Sequence, residues 1–201
     1  MDKPAPTAYP VHELIARRWS PRVFQDRPVE RDRLLSLFEA ARWAPSSFNG
    51  QPWHFIVATK EDKAEHDRLL SCLVEFNQNW CRGAPVLLLA IAARKFEHDG
   101  KPNRHGTHDV GLALENLAIQ ATALDLSVHY MAGFDIAKAR QTYGIGEDHE
   151  PITAGAIGYG GDPATLPPDA RDRELAPRKR KPIQDFVYTG KFGKKSPLVT
   201  P

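Results

Sequence analysis

Cysteine is scarce in this sequence, and its thiols are poorly placed for cross-linking or for binding a metal. The 201 residues include two cysteines, Cys72 and Cys81, which lie nine positions apart and form no CxxC pair. A disulfide framework or a zinc cluster needs several cysteines at short, paired spacings. The sequence therefore predicts two reduced, partly buried thiols that pack as small apolar side chains.

Long apolar runs and a strong imbalance of charge are also missing. The longest apolar run, Pro85–Ala93, is far too short to span a bilayer and fits a buried strand. The N-terminal segment MDKPAPTAYP lacks the apolar core of a secretory signal. A net charge of +2 does not favour a protein that binds polyanions. We therefore expect a soluble, cytoplasmic protein with neither a membrane nor a nucleic acid as partner.

The spacing of apolar residues predicts a single α+β domain that covers residues 1–201. Helical spacing, as at Leu34, Leu35 and Phe38, alternates unevenly with short apolar runs, and no internal repeat or inter-domain linker is visible. The predicted helices are Tyr9–Arg18, Arg31–Trp43, Glu61–Arg82, His108–Leu124 and one from its cap Asp135 to Tyr143; the predicted strands are Trp53–Thr59, Val86–Ala93, Ser127–Met131 and Thr153–Tyr159.

The C-terminal part of the chain differs in composition from the rest. Residues 162–201 follow Gly161 and are rich in proline and in charged side chains. Such a stretch has little core of its own, and tails of this kind usually pack on another surface, often that of a second subunit. We interpret it as an extended tail of the same domain.

Two segments carry arginines at alternate positions. Arg18, Ser20 and Arg22 can converge on one anion, because guanidinium groups bind phosphate oxygens as forks and a serine adds a short neutral hydrogen bond. Near the C-terminus, Arg178 and Arg180 would share one face of an extended chain and could complete the same anion site. Two alternatives stay open here: a solvated helix end for the first segment, and a solvated basic run or nucleic-acid patch for the second.

Two further segments carry small polar or flexible residues. Segment 44–53 (APSSFNGQPW) places hydroxyls and amides between a predicted helix and a predicted strand, and their donors and acceptors suit the edge of a planar heterocycle. In segment 130–134 (YMAGF), small residues let a backbone approach a ligand closely, and Gly133 can adopt a positive φ. An ordinary polar turn and a tight strand-to-helix turn also explain these segments when each is taken alone.

Together and in this order, the four segments resemble the FMN-dependent nitroreductase family. The resemblance runs from Arg18 to Gly193 and rests on the R-x-S-x-R start, the A-P-S-S-x-N-x-Q-P-W block and the M-A-G-F turn. The phrase FNQNW at 76–80 and the ending RKRKP at 178–182 add to it. The family implies a central, mainly antiparallel sheet flanked by helices, with a C-terminal tail that extends over the partner subunit.

The resemblance also implies where FMN is held. Arg18 and Ser20 would bind the FMN phosphate and ribityl chain, and Arg178 and Arg180 would close on the same phosphate. Arg22 would lie near the N1/O2 edge of the isoalloxazine, where a cation stabilises the negative charge of the reduced flavin.

The other implied FMN contacts come from the middle of the chain. Asn77 would hydrogen-bond the pyrimidine edge of FMN, and the backbone of Met131, Ala132 and Gly133 would meet the flavin near N5. The site would lie at the interface of a homodimer, because one segment would come from the other protomer. That segment would contribute Pro45, Ser46, Ser47 and Asn49.

The function implied by the resemblance is that of an FMN oxidoreductase. NADH or NADPH would deliver hydride to FMN, and a small electron-poor acceptor such as a nitroaromatic, a quinone or an activated alkene would take it away in a ping-pong order. No catalytic side chain is assigned, since the cofactor carries the chemistry. Segment 94–107, a polar stretch with Gly100 and Pro102, would be a mobile loop bordering the substrate space.

Other interpretations remain at this stage. His98, His105, His108 and Asp109 could chelate a metal, although an aspartate favours the start of a helix in any case. The glycines of segment 155–161 follow a strand, but the Pro-rich stretch after them is unlike the helix of a dinucleotide-binding βαβ unit. The basic tail could bind RNA or DNA, without a stacking platform or recognition helix to support it. A further alternative is an FMN-binding storage or sensor protein that is not an enzyme.

Overall fold

A four-stranded antiparallel sheet forms the centre of the fold in the computed structural model, which describes residues 3–199. Every residue of its second strand is buried, which explains why the sequence there is apolar at consecutive positions. The predicted α+β class and mainly antiparallel sheet are confirmed. In the spatial order β1-β2-β4-β3, the strands are β1 (Trp53–Thr59), β2 (Val86–Ala93), β4 (His149–Tyr159) and β3 (Leu126–Met131).

Helices and short turns connect and cover these strands. The side chain of Asp135 accepts a hydrogen bond from the N–H of Lys138 and caps a helix, as the sequence predicts. Within residues 3–199, no helix is both long enough and apolar enough to cross a bilayer. The helices are α1 (Glu13–Arg17), α2 (Arg31–Arg42), α3 (Lys63–Leu70), α4 (Glu75–Cys81), α5 (Gly106–Ala123), α6 (Ile136–Tyr143) and α7 (Pro168–Leu175), with 3₁₀ turns at Ser47–Asn49, Pro163–Thr165, Ile183–Asp185 and Pro197–Val199.

Successive residues of β2 enter two hydrophobic clusters, one on each face of the sheet. Leu88 packs in the cluster that contains Leu37 of α2 and Leu117 of α5. Leu87 packs in the opposite cluster, which contains Leu69 of α3. Because side chains alternate along a strand, one apolar strand supplies both clusters. Burial of each such leucine stabilises the fold by roughly 1.5–3 kcal/mol, so β2 anchors both layers of helices.

The prediction of one helix from Glu61 to Arg82 is wrong, because the chain breaks between α3 and α4. At the break, Val74 donates its N–H to the carbonyl oxygen of Gly133 over 3.1 Å. This bond to the turn after β3 replaces the helical bond that Val74 would otherwise make. Phe76, in the first turn of α4, is 59% exposed.

Two element ends also differ from the prediction. The first helix covers only Glu13–Arg17, because the side chain of His12 accepts the N–H of Leu14 and starts the helix there. Strand β4 begins four residues earlier than predicted, at His149, which pairs with Ala93 of β2. Both differences arise from contacts that the apolar pattern does not encode.

The tail after β4 packs in part on its own chain. Helix α7 lies in this tail, and the side chain of Glu174 on it is 1% exposed. Further on, Tyr188 pairs with Lys195 in a short hairpin, and Phe192 at its tip is exposed. The extension of the tail over a partner subunit stays a prediction.

Candidate functional site

Arginines that are far apart in the sequence come together where the tail meets the N-terminal segment. The Arg178 guanidinium donates three hydrogen bonds to backbone carbonyls of that segment. Its Nη1 reaches the carbonyl oxygens of Lys3 (2.9 Å) and Ala16 (2.8 Å), and its Nη2 reaches that of Arg18 (2.8 Å). Arg178 therefore joins the tail to the very segment in which the sequence predicts an anion site.

This arginine cluster carries positive charge that the chain does not neutralise. Burial, followed by the charges of Arg18 and Arg180, lowers the pKa of the Arg178 guanidinium. Among residues 3–199, none of these three arginines forms an ion pair; Arg18 donates instead to Oγ of Ser20 over 3.2 Å. A guanidinium has five N–H groups, and Arg178 uses three, so donors remain for a ligand. The cluster suits an anion such as a phosphate.

The peptide that links Pro21 to Arg22 is held from both of its polar ends. The Nδ1–H of His129, on β3, donates to the carbonyl oxygen of Pro21 over 2.9 Å. The N–H of Arg22 donates to Oε1 of Glu174 over 2.8 Å. The sequence predicts no role for either side chain, because the partner of each is more than a hundred positions away.

The environment of His129 favours its neutral form. Burial lowers the pKa of the imidazole, and the nearby charge of Arg22 lowers it further, although the bond to Pro21 acts in the opposite direction. The ring of Trp80 lies against that of His129, with the centroids 4.6 Å apart. A neutral imidazole in this position supports the backbone without adding a second charge beside Arg22.

A second group of predicted residues meets at the turn after β3. Asn77, on α4, donates its Nδ2–H to the carbonyl oxygen of Gly133 over 2.9 Å, and its Oδ1 accepts the indole N–H of Trp80 over 3.2 Å. A Cβ atom on Gly133 would lie 2.4 Å from that same Nδ2, so any other residue here would displace the Asn77 amide. No hydrogen bond among the described residues uses the N–H of Gly133. The backbone N–H of Gly133, which follows Met131 and Ala132, is therefore available to donate to a ligand.

Trp80 connects the two groups of predicted residues. Its indole N–H binds Asn77, while its ring lies against His129, which holds Pro21. The segment with Arg18 and Arg22 and the turn with Gly133 are therefore neighbours across α4 and β3. These contacts link the two groups, which contain nine of the predicted residues: Arg18, Ser20, Arg22, Asn77, Met131, Ala132, Gly133, Arg178 and Arg180.

The remaining predicted segment, Pro45–Asn49, lies elsewhere. The backbone N–H of Ser47 donates to Oδ2 of Asp109, at the start of α5, over 2.9 Å. Phe48, Asn49 and Gln51 all have positive φ values, of 52°, 53° and 44°. Non-glycine residues in this conformation store strain and cluster at ligand sites. Within residues 3–199, no hydrogen bond, ion pair or ring contact joins this segment to the arginine cluster.

Segment 94–107 borders the strained loop. Lys95 pairs with Pro102 across a short bridge, which brings Phe96 under the loop. The ring of Phe96 meets that of Phe48 edge to face, with the centroids 5.8 Å apart, and also contacts His98. Phe48 is exposed in this group, whereas Phe96 is half-buried beneath it.

The histidines, cysteines and glycines on which the alternative interpretations depend make other contacts. His108 hydrogen-bonds Oδ1 of Asp109 over 2.9 Å, and no group of three or more His, Cys, Asp or Glu within residues 3–199 could hold a metal ion. Both Cys72 and Cys81 are free and buried. A Cβ on Gly158 would lie 2.6 Å from the ring of Pro85, so this glycine serves packing. The sheet is antiparallel, so it contains no dinucleotide-binding βαβ unit.

A separate cleft lies beside the N-terminal segment. It has a volume of about 420 Å³ and is lined by Trp19, Ser127 and Tyr159, with Arg17 and Asp125 paired at its edge. None of the predicted site residues lines it. Because its one cation is already neutralised, the arginine cluster is the better place for an anion.

Comparison with known proteins points in the same direction. A model of the nitroreductase family matches residues 15–159. A Streptomyces coelicolor protein with the provisional name NADH dehydrogenase/NAD(P)H nitroreductase is 31% identical over 160 residues, which cover 70% of this chain and 78% of that protein. An uncharacterised 15.4 kDa protein of Mycolicibacterium smegmatis is 29% identical over 124 residues, which cover 62% of this chain and 82% of that protein.

Solved structures share the whole fold. A structure described as an oxidoreductase containing FMN is 36% identical, with a TM-score of 0.88, and the match covers 95% of this chain and 97% of that one. A nitroreductase family protein from Clostridium difficile 630 is 25% identical, with a TM-score of 0.67, and the match covers 89% of this chain and 96% of that one. The likeness therefore includes the tail as well as the sheet.

Proposed function

The chain belongs to the nitroreductase family, and from that premise we propose that it is an NAD(P)H-dependent FMN oxidoreductase. The observation that carries the proposal is the cluster of Arg18, Arg178 and Arg180, whose charges no acidic side chain among the described residues neutralises. Their guanidinium groups fit a phosphate dianion. The similar structure that contains FMN supports this ligand over a free phosphate.

FMN would supply an isoalloxazine ring that takes up hydride and gives it away. The chain's own residues would hold that ring and set the charge around it. Arg18, Ser20, Arg178 and Arg180 would bind the phosphate end. Arg22, whose side chain is 39% exposed, would place its positive charge at the pyrimidine edge.

The turn after β3 would support the central ring of the flavin. Gly133 lets the ring come close because it has no side chain, and its N–H is a donor with no acceptor among the described residues. The amide of Asn77 holds this turn through the carbonyl oxygen of Gly133 and has one N–H left for the flavin. The backbone of Met131 and Ala132 would line the same edge.

The active form would be a homodimer of single-domain subunits that each span residues 1–201. Among the described residues of one chain, the strained segment Pro45–Asn49 makes no hydrogen bond, ion pair or ring contact with the arginine cluster, which supports a contact with the FMN of a second copy. Exposed apolar side chains in the tail, Phe186 and Phe192, give the tail a surface with which to cover that copy.

The donor and the acceptor would use the same face of the flavin in turn, which is a ping-pong order. The acceptor would be a small electron-poor molecule such as a nitroaromatic, a quinone or an activated alkene. The exposed ring of Phe48, which packs on the half-buried Phe96, supports a planar substrate, because aromatic side chains stack on flat molecules.

The visible spectrum of the purified protein, taken before and after anaerobic addition of NADH or NADPH, tests the proposal. A flavin band that bleaches with either nicotinamide is the expected result. A colourless protein that cannot be reconstituted with FMN would overturn FMN binding. A stable flavin band that neither nicotinamide bleaches would overturn the reductase and leave an FMN-binding protein.

A further inference from the structure

A buried carboxylate from the tail lies directly behind Arg22. The side chain of Glu174 is 1% exposed; its Oε1 accepts the N–H of Arg22 over 2.8 Å, and its Oε2 lies 4.0 Å from the guanidinium of Arg22. Within residues 3–199, no other cation forms an ion pair with it. An unpaired carboxylate at such a buried position is strongly destabilising. The pairing of Glu174 with Arg22 is therefore part of what stabilises the fold here.

Glu174 and His129 fix the same peptide group. The carbonyl oxygen of Pro21 accepts from His129, and the N–H of Arg22, which belongs to the same planar unit, donates to Glu174. With both polar ends held, the direction in which the Arg22 side chain leaves the backbone is set.

The tail also holds the residues on either side of this peptide. The Nζ of Lys3 donates to the backbone carbonyl oxygen of Glu174, and Arg178, four residues after Glu174, binds the carbonyl oxygen of Arg18. The segment with the predicted FMN contacts is thus fixed by α7 and by the residues after it. The helix before this segment does not extend into it, since α1 ends at Arg17 and the N–H of Arg18 makes the capping bond to Leu14.

We infer that Glu174 is a positioning residue that aims Arg22 and offsets part of its charge, and so lowers the reduction potential of the bound flavin. The inference rests on the proposed function. Reduced FMN carries more negative charge at its pyrimidine edge than oxidised FMN, so a full positive charge there favours the reduced form. A carboxylate 4.0 Å behind that charge weakens the preference.

Two substitutions of Glu174 separate the effect of its hydrogen bond to Arg22 from the effect of its negative charge. Glu174→Gln keeps an oxygen that can accept the N–H of Arg22 but removes the negative charge, whereas Glu174→Ala removes both. Asp172→Asn is the matched control, because it takes one negative charge from the same helix at a side chain that is 76% exposed and does not touch Arg22.

The measurements are the FMN dissociation constant, the flavin midpoint potential and the hydrogen exchange of the Arg22 amide in the FMN-free protein. For Glu174→Gln we expect FMN affinity within about threefold of the original protein. We also expect a roughly tenfold stronger preference for reduced flavin, which is about 30 mV for two electrons. For Glu174→Ala we expect at least tenfold weaker binding and loss of protection at Arg22. Asp172→Asn should leave all three unchanged.

A midpoint potential in Glu174→Gln equal to that of the original protein would overturn the charge effect, and so would an equal shift in Asp172→Asn. Retained protection of the Arg22 amide in Glu174→Ala would overturn the positioning role. If the unsubstituted protein binds no FMN, the proposed function fails instead, and the exchange experiment still tests whether Glu174 fixes Arg22.

Discussion

The carboxylate of Asp109, in the first turn of α5, accepts the backbone N–H of Ser47 over 2.9 Å and is itself only 2% exposed. This buried side chain fixes the start of the loop whose residues Phe48, Asn49 and Gln51 adopt the left-handed conformation, and the Ser46 hydroxyl, which accepts the N–H of Gln51, fixes its end. Strained residues persist only where the surrounding structure fixes them, and Asp109 provides part of that constraint.

Asp109→Ala is expected to reduce the free energy of unfolding by about 1–3 kcal/mol, because the Ser47 N–H loses its acceptor in a partly buried site. Urea denaturation of the FMN-free protein measures this loss. Glu115→Ala, at an exposed position on the same helix, serves as the control and should change stability by less than about 0.5 kcal/mol. Equal stability of the two variants would contradict the role given to Asp109.

Arg18→Ala and Arg178→Ala are expected to have similar effects on FMN binding but different effects on stability. Both should weaken FMN binding by roughly 10–100-fold, because each removes a charged partner of the phosphate. Arg178→Ala should also destabilise the FMN-free protein, since three backbone carbonyls lose their donor. Fluorescence titration with FMN and urea denaturation separate the two effects.

The control for charge is Arg171→Ala, on the exposed face of α7, where the guanidinium faces only Asp172. That variant should bind FMN as the original protein does. Undiminished retention of FMN by Arg18→Ala would remove Arg18 from the phosphate site. A loss of FMN without a loss of stability in Arg178→Ala would mean that its carbonyl contacts contribute nothing to the fold.

Much of the fold could be predicted from the sequence because the signals are local. The burial of β2 follows from its unbroken apolar run, and the cap of α6 follows from Asp135 at its start. The break between α3 and α4 could not be predicted, because no glycine or proline lies at residues 71–74. It arises from the bond of Val74 to Gly133, a partner almost sixty positions away.

The candidate site also has residues that the sequence predicts and residues that it does not. Arg18, Arg178 and Asn77 stand out because their motifs are those of a known family, although no local physical rule places them side by side. Glu174 lies in a helix whose sequence, PDARDREL, is mostly charged and gives no sign that one carboxylate is buried. A buried polar residue in a polar helix is visible only once its distant partner, Arg22, is known.

FMN content is expected to depend on dimerisation. If Ser46, Ser47 and Asn49 contact the FMN of a partner subunit, dilution that dissociates the dimer should release the cofactor. Light scattering, combined with absorbance in the flavin band over a dilution series, measures both quantities on one sample. A monomer that retains a full complement of FMN would exclude a site shared between subunits.

Two histidines in the interior predict that stability falls in mild acid. The pKa values of His66, which is buried, and of His129, which is half-buried, are both lowered, in each case chiefly by burial, from an unfolded value of 6.5. Below pH 6.5 the unfolded chain therefore binds more protons than the native one, so stability is fully present above that pH and is lost as the pH falls towards the native pKa values. Each histidine contributes at most about 1.4 kcal/mol per pH unit.

His129→Gln tests one of these contributions at the site. A glutamine can still donate to the carbonyl oxygen of Pro21 but cannot take up a proton, so the decline in stability between pH 7.5 and 5.5 should become shallower than in the original protein. The buried His66 should keep part of the decline. Urea denaturation at several pH values gives the two slopes. Parallel slopes would mean that His129 titrates alike in the folded and unfolded chains, and that Arg22 and burial do not depress its pKa.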